Sequence, residues 1–329
     1  MKILYAIQAT GNGHVSRACE IIPYLKKHGT VDLLLSGTQA EVGLGHDVKY
    51  QFNGFGFVFG ENGGVDFLKT WKQFDTLQFL RDIRKLPVHQ YDLVINDFEP
   101  VCAWACKLKR KRNIALSHQS AFVSGKTPQI EGFHWGKVIM NNYAPTNAHV
   151  AFHFKRYDDF IHTPVIRSEI RNLKNENRRH YTVYLPAYSD GFIINQVKKF
   201  DHIKWEIFSK HSKHHYFDEN VEVLPINNEK FQESLAGCEG FLTGGGFEGP
   251  AEALFLKKKL LAVPMKNQYE QQCNALALEQ LGVPVIWHEK EFSEKLKNWV
   301  NEERLIEVDF PNETEQIIDN LIDTEFRKI

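Results

Sequence analysis

The sequence predicts an α/β protein with two domains, each built on a largely parallel β-sheet. The chain has 329 residues, which is long for a single hydrophobic core. Residues 2–6 predict a strand, and a loop at residues 8–14 joins it to residues 15–28, where apolar side chains recur at helical spacing. A second series of strand-like and helix-like segments begins at residues 181–185. Such alternation is typical of parallel sheets covered by helices.

The composition is that of a globular protein in a reducing compartment. Hydrophobic residues make up 43% of the chain, and the net charge of −1 gives no overall field that would attract nucleic acid. The five cysteines are scattered without Cys-x-x-Cys spacing, so neither disulfides nor a zinc site is expected. No apolar run approaches the ~18–20 residues of a membrane span, and residues 3–7 are too few for a signal peptide. We therefore expect a cytoplasmic protein that at most contacts the inner face of a membrane.

Three consecutive glycines mark the candidate ligand site. Gly244, Gly245 and Gly246 follow an apolar run where a parallel strand would end, and without Cβ atoms they let a ligand come close to the backbone. Gly249 and Pro250 follow at the start of a predicted helix. Because the first N–H groups and the positive dipole end of a helix bind anions, we expect a phosphate-bearing ligand at this turn.

Hydrogen-bonding side chains flank the same turn. Glu252 lies in the first turn of the predicted helix, where its carboxylate suits the dipole and can bind vicinal hydroxyl groups. Residues 268–272 (Gln-Tyr-Glu-Gln-Gln) follow a short strand predicted at residues 259–264, and ligands of open α/β sheets bind at such carboxyl ends. These groups together predict a nucleotide-sugar site. The alternative is an ordinary glycine-rich turn with Glu252 as a helix-start carboxylate.

The stretch from residue 241 to residue 275 resembles a known family. Its pattern is Gly-Gly, five residues, Glu-Ala-Leu, a strand ending in proline, and then Glu-Gln-x-x-Asn-Ala. This is similar to the donor signature of GT-B glycosyltransferases, most closely family 28, which includes the N-acetylglucosamine transferase acting on a lipid-linked cell-wall precursor. The resemblance implies two Rossmann-like α/β domains facing across a cleft, a uridine diphosphate donor and inversion at the anomeric carbon. The donor-binding residues predicted on this basis are Ser189, Ile226, Asn227, Gly244, Gly245, Gly246, Phe247, Gly249, Glu252, Glu270 and Gln271.

The loop Gly11-Asn12-Gly13-His14 contains the predicted catalytic base. It lacks the third glycine of a dinucleotide fingerprint, but it resembles the first loop of the same GT-B families, in which a histidine faces the cleft. We predict that His14 accepts the proton of the acceptor hydroxyl. The alternative role for His14 is a side-chain cap at the helix start.

Asp97 is the predicted partner of His14. It follows a buried strand predicted at residues 92–96, and family 1 relatives carry at the comparable place an aspartate that orients the catalytic histidine. The strands before His14 and Asp97 should be adjacent or near neighbours, so that their carboxyl ends converge on one edge of the sheet. Glu99 is the second choice as partner, and the alternative role for Asp97 is to cap the following helix.

The acceptor is expected at the same edge of the first sheet. The acceptor-side residues predicted there are Gly11, Asn12, Gly13, Glu99 and His118. Residues 52–74 are rich in phenylalanine and glycine, which predicts either hairpin strands or an aromatic rim for the acceptor. The basic run at residues 107–112 (Lys-Leu-Lys-Arg-Lys-Arg) predicts either a solvated turn or an electrostatic contact with an anionic membrane.

The expected domains are an acceptor domain at residues 1–160, a linker at 161–177 and a donor domain at 178–311, with a last helix within 312–329 packing back on the first domain. No Asp-x-Asp motif lies in a plausible loop, so no metal or cofactor is predicted. Backbone N–H groups at the Gly249 helix start would meet the charge of the leaving diphosphate. The sugar and the hydroxyl acceptor, a lipid or a small metabolite, are not identified. A sugar-nucleotide 2-epimerase and a catalytically inactive nucleotide-sugar-binding protein are the alternatives.

Overall fold

The computed structural model describes residues 1–37, 43–53 and 75–326, and within them two β-sheets follow one another along the chain. The first sheet contains β1 (Lys2–Gln8), β2 (Thr30–Ser36), β3 (Tyr50–Phe52), β4 (Leu93–Asp97), β5 (Ile114–Ser117), β6 (Ala148–Phe152) and β7 (Ile161–His162). The second contains β8 (His180–Tyr184), β9 (Lys204–Ser209), β10 (Tyr216–Asp218), β11 (Val221–Pro225), β12 (Gly240–Gly244) and β13 (Lys259–Val263). The α/β class predicted from the sequence is confirmed.

The described helices connect and cover these strands. They are α1 (Asn12–Lys27), α2 (Thr76–Lys85), α3 (Pro100–Leu108), α4 (Trp135–Tyr143), α5 (Ser168–Arg171), α6 (Asp190–Val197), α7 (Asn228–Gly237), α8 (Glu248–Phe255), α9 (Tyr269–Gln280), α10 (Phe292–Asn301) and α11 (Thr314–Phe326). The aromatic segment predicted as an acceptor rim lies, from residue 54 to residue 74, outside the described residues.

The strand order places two potential ligand crevices. In the first sheet the order is β3-β2-β1-β4-β5-β6-β7, and every described pair is parallel. In the second the order is β10-β11-β9-β8-β12-β13, with only the described pair β10 and β11 antiparallel. In the first sheet, successive strands are added from β1 toward one edge and, from β4 on, toward the opposite edge. The second sheet shows the same change between β8 and β12. Ligands of such sheets bind beyond the carboxyl ends of the strands at these reversal points.

Helix α1 begins three residues earlier than the predicted helix. Gly11 is its extended N-cap residue, so Asn12, Gly13 and His14 belong to the first turn rather than to a loop. The helix continues through Pro23 and ends at Lys27. Its buried face comprises Val15, Ala18, Ile21, Ile22 and Leu25. This early start fixes the backbone that carries His14.

Helix α11 packs on α1. Its apolar residues Ile317, Ile318, Leu321 and Ile322 are buried in the same cluster as the α1 face. An ion pair between Lys27 and Glu315 and a hydrogen bond between His28 and Asp319 flank this contact. The end of the chain therefore stabilises the first sheet rather than the second.

The segment expected as a linker carries secondary structure. Residues 161–162 add β7 to the edge of the first sheet, and α5 lies within the remainder. All five cysteines are unpaired thiols.

The basic run lies at the amino end of β5, opposite the carboxyl edge that carries His118. Lys109 Nζ donates to the carbonyls of Arg84 and Leu86, and Arg112 forms a two-point ion pair with Glu325. Part of the run therefore holds neighbouring segments together, and the membrane contact stays a prediction. None of the described helices is long and apolar enough to cross a membrane.

Candidate active site

His14 and Asp97 meet at the carboxyl edge of the first sheet. Their strands β1 and β4 are adjacent and parallel, as predicted, with Ile7 opposite Asp97. His14 Nδ1 lies 2.8 Å from Asp97 Oδ1. Because an ionised carboxylate only accepts hydrogen bonds, the proton of a neutral His14 ring lies on Nδ1. The other ring nitrogen, Nε2, keeps its lone pair, which is the arrangement that a general base requires.

Arg17 keeps Asp97 ionised. The guanidinium lies one helical turn after His14, and its Nη2 donates to both carboxylate oxygens of Asp97, at 2.7 and 2.9 Å. Burial alone would raise the pKa of the fully buried Asp97 carboxyl, but the charge of Arg17 and the bonds from His14 and Arg17 hold that pKa below its ordinary value. Asp97 therefore stays a carboxylate that can orient the His14 ring.

Gln119 donates from its side-chain amide to the second ring nitrogen of His14. Its Nε2 amide lies 3.3 Å from His14 Nε2, and its own Oε1 is buried without a hydrogen-bond partner among the described residues. The His14 side chain is 14% exposed. An acceptor hydroxyl that reaches His14 Nε2 would thus meet an unpaired amide oxygen beside it.

Glu248 brings the second sheet to this cluster. It is the first residue of α8, after the triple glycine, and it forms an ion pair with Arg17 Nη1. The N-cap residue of α8, Phe247, makes no side-chain capping bond. Burial raises the pKa of the Glu248 carboxyl to about 7 against the opposing charge of Arg17, with Glu252 and Asp97 adding to the rise. The start of α8 and the start of α1 therefore face each other.

The glycine turn packs closely against α9. A Cβ atom on Gly245 would lie 2.5 Å from the carbonyl oxygen of Gln271, so no larger residue fits there without a shift. Gln271 Oε1 accepts from the N–H groups of Gly245 and Met265, at 3.2 and 3.1 Å. Asn274, which is fully buried, donates to the carbonyl of Gly245. The amides of α9 thus fix the shape of the turn.

A family model described as glycosyl transferase family 1 matches residues 1–302, which is most of the chain. The chain belongs to glycosyl transferase family 1. The protein is accordingly a transferase, as the sequence predicted. No curated protein sequence matches this glycosyltransferase.

Solved glycosyltransferases share its fold. Arabidopsis thaliana UGT89C1 complexed with quercetin superposes with a TM-score of 0.60 at 12% identity, covering 99% of this chain and 94% of that chain. Its complex with UDP-L-rhamnose gives a TM-score of 0.57 at 13% identity over the same shares. Acinetobacter baumannii MurG gives 0.56 at 14% identity and covers 99% of both chains. The predicted GT-B fold is confirmed, and at these identities the likeness shows the fold alone.

Two acceptor-side predictions need correction in this glycosyltransferase. Glu99 is fully buried, and its carboxylate caps α3 by accepting from the N–H groups of Val101 and Cys102. It therefore faces neither an acceptor nor His14, and it rather than Asp97 is the helix cap. His14 makes no capping bond either.

His118 is the second correction. It is 1% exposed and lies between the carbonyl of Phe152, at 2.9 Å, and Asn274 Oδ1, at 2.8 Å. Its ring stacks on Phe247 of the second half, with ring centres 3.8 Å apart. Burial lowers the pKa of the His118 imidazole to about 4, more than the nearby Glu270 raises it. His118 and Phe247 thus pack the two halves together instead of facing an acceptor or the donor.

The predicted donor-binding residues have different structural environments. Glu252 is 4% exposed and accepts from Arg167 Nε and Nη2 at 2.7 and 3.1 Å, so part of its hydrogen-bonding capacity is already used. Ser189 and Asn227 cap α6 and α7, and Ile226 is half-buried before α7. Gly249 is the second residue of α8 rather than its first. Glu270 is half-buried in the first turn of α9, 4.0 Å from His118.

Sequence reasoning missed three charged residues and one amide that join these parts. They are Arg17, Gln119, Arg167 and Glu248. Arg17 could have been found, because a side chain three positions after His14 on a helix lies on the same face. Arg167 carried no local signal, since it lies in the segment expected as a linker. Within the described residues, no group of three or more His, Cys, Asp and Glu side chains is arranged to hold a metal ion.

Proposed function

We propose that this glycosyltransferase moves a sugar from a uridine diphosphate sugar to a hydroxyl acceptor, with inversion and without a metal ion. The observation that carries the proposal is the 2.8 Å contact between His14 and Asp97 at the edge where the two halves meet. It supplies a base beside Arg17, whose second contact is Glu248 at the start of α8. A base on one side and a leaving group on the other support direct, inverting displacement.

The chemistry assigned to each part follows from its charge. His14 Nε2 takes the acceptor proton, and Asp97 stabilises the imidazolium that results. The uncapped start of α8 binds the diphosphate through backbone N–H groups, and the glycine turn lets it come close. The plant relative complexed with UDP-L-rhamnose and with quercetin supports a uridine diphosphate donor and a separate acceptor.

Product analysis tests the proposal. The protein is incubated with a panel of uridine diphosphate sugars, first alone and then with lipid and small-molecule hydroxyl acceptors, and the products are identified by mass spectrometry and by NMR of the anomeric proton. Transfer with inverted configuration is the expected result. Formation of an epimerised nucleotide-sugar from the donor alone would instead establish a 2-epimerase, and nucleotide-sugar binding without any turnover would establish an inactive binding protein.

Glu252 is proposed to bind the ribose hydroxyls with the oxygen lone pairs that Arg167 leaves open. Replacing Glu252 with alanine should weaken uridine diphosphate binding by roughly 10- to 100-fold, because a hydrogen bond to a charged group contributes ~1.5–3 kcal/mol. Calorimetry measures the affinity. The comparison is Arg167→Met, which leaves the carboxylate in place without its partner. Equal losses in the two variants would show that Glu252 acts only through its ion pair with Arg167.

Turnover should survive removal of divalent metals. If Arg17 and the N–H groups of α8 meet the charge of the leaving diphosphate, a chelator such as EDTA should leave the rate nearly unchanged. The rate is measured before and after chelation and again after adding magnesium or manganese. A loss of activity that either metal restores would contradict the proposed leaving-group stabilisation.

A further inference from the structure

Arg17 joins the two halves of the molecule through two carboxylates. Its Nη2 donates to the Asp97 carboxylate of the first sheet, and its Nη1 forms an ion pair with Glu248 at the start of α8. The Arg17 side chain is 2% exposed and the Glu248 side chain 15% exposed. Burial disfavours the Arg17 charge, but the two carboxylates outweigh it and raise the pKa of the guanidinium. Asp97 is therefore the carboxylate that also contacts His14, whereas Glu248 contacts the other terminal nitrogen of Arg17.

The position of Glu248 is unusual for a carboxylate that only neutralises Arg17. It follows the glycine turn after one residue, Phe247, and its Cγ lies 3.0 Å from the place where a Cβ on Gly13 would be. The aliphatic part of the Glu248 side chain thus packs against the first turn of α1. Its Oε1 contacts Arg17, and no hydrogen bond to its Oε2 occurs within the described residues. Arg17 therefore contacts an anionic oxygen here, at the place where the proposed function puts the diphosphate.

We propose that Glu248 is an internal substitute for the donor diphosphate, and that the diphosphate takes its place on Arg17 when the donor binds. This inference rests on the proposed function. Arg17 then links the leaving group to the base, because the same guanidinium contacts Asp97 beside His14. Glu248 becomes a specificity-determining residue: a ligand displaces it only if its own anionic oxygens satisfy Arg17.

Displacement of Glu248 from Arg17 by the diphosphate depends on protonation of the Glu248 carboxyl. An ionised Glu248 would repel the incoming diphosphate, so binding is favoured when this carboxyl is protonated. The pKa of the Glu248 carboxyl in the free protein is about 7, so both forms are present near neutral pH. The titratable groups that face it are Arg17 and His14 on α1, Asp97 on β4, Glu252 on α8 and Arg167 before α5. Asp97 and Arg17 keep their charge near neutral pH because of their pKa shifts.

The sign of the pH effect follows. The bound diphosphate raises the pKa of the Glu248 carboxyl further, so binding takes up a proton from solution. Affinity should therefore fall as the pH rises above about 7, by at most about tenfold per pH unit for a single proton. A variant without a titrating group at position 248 should not show this dependence of affinity on pH.

Calorimetry with uridine diphosphate tests the inference. Glu248→Gln should bind at pH 8 about tenfold more tightly than the wild type, and the difference should vanish near pH 6, where Glu248 is itself protonated. The ratio of the two affinities at each pH cancels the ligand's own titration. The control is Glu294→Gln, which removes an exposed carboxylate from the first turn of α10 and should match the wild type. Equal or weaker binding by Glu248→Gln at pH 8, or a ratio constant with pH, would overturn the inference.

A second measurement needs no variant. Titrations of the wild type at pH 8 in two buffers of different ionisation enthalpy give the number of protons exchanged, and most of one proton should be taken up. No uptake would overturn the displacement. These results distinguish the two proposals. If the wild type binds no nucleoside diphosphate, both the proposed function and the role of Glu248 are wrong. If it binds without proton uptake, and Glu248→Gln binds as the wild type does, only the role of Glu248 is wrong.

Discussion

Replacing His14 with alanine should lower turnover by roughly 10²–10⁴-fold, the usual range for the loss of a general base. Donor affinity should stay close to that of the wild type, because the proposed role of His14 is to accept the acceptor proton, whereas the diphosphate is proposed to bind at the start of α8. Initial rates with saturating donor and acceptor, together with calorimetry for uridine diphosphate, measure the two quantities. A similar loss in both would place His14 in the donor site.

The chain offers a matched control for this variant. His28, the C-cap residue of α1, forms a contact of the same length, 2.8 Å, with Asp319 of α11, and the two side chains are 24% and 49% exposed. His28→Ala should leave turnover unchanged within a factor of about two, because an exposed pair contributes less than about 1 kcal/mol. A large effect of this control would mean that histidine loss on α1 disturbs the fold.

Asp97 and His14 should act as one unit. Asp97→Asn should slow turnover, since a neutral amide neither stabilises the imidazolium nor fixes the Nδ1 tautomer. The double variant should be little slower than His14→Ala alone, because residues that act together are not additive. Losses that multiply would show separate roles and would contradict the pair.

Replacing Arg17 with methionine should reduce the free energy of unfolding by about 3–5 kcal/mol. The change leaves Asp97 and Glu248 buried without their shared cation, and breaking one side of a buried ion pair costs about this much. Urea denaturation measures it. Lys27→Met is the control on the same helix, because Lys27 and Glu315 are both more than half exposed and such pairs contribute about 0–1 kcal/mol. A loss for Arg17→Met no larger than that of the control would contradict the buried bridge.

The same bridge sets an acid limit on stability. Because the pKa of the Asp97 carboxyl lies below its ordinary value, its ionised form stabilises the folded state above about pH 4. That contribution is lost as the pH falls through the pKa of the folded state. In Arg17→Met the pKa of Asp97 loses its main lowering influence, so this part of the acid dependence should become smaller.

Local pattern and strand topology predicted much of the site. Runs of apolar residues predicted strands at residues 2–6, 92–96, 181–185 and 259–264, and the observed strands differ from these bounds by one or two residues. His14 and Asp97 were paired because both follow strands whose carboxyl ends had to converge. Helix capping was only the alternative role for Asp97, and the cap of α3 is Glu99, the residue directly before Pro100 at the first helical position.

By itself, the sequence determined the two α/β units, the glycine turn before α8, and the placement of His14 and Asp97 at one sheet edge. Each of these depends on a short periodic or turn pattern that residues within a few positions of each other specify. Only the tertiary structure decided that Arg17 meets Glu248, that Arg167 meets Glu252 and that His118 meets Asn274. These partners lie 231, 85 and 156 positions apart. A charge in the sequence does not state which of many opposite charges or polar groups it will meet. That choice depends on how the two sheets pack, because burial removes water as the competing partner.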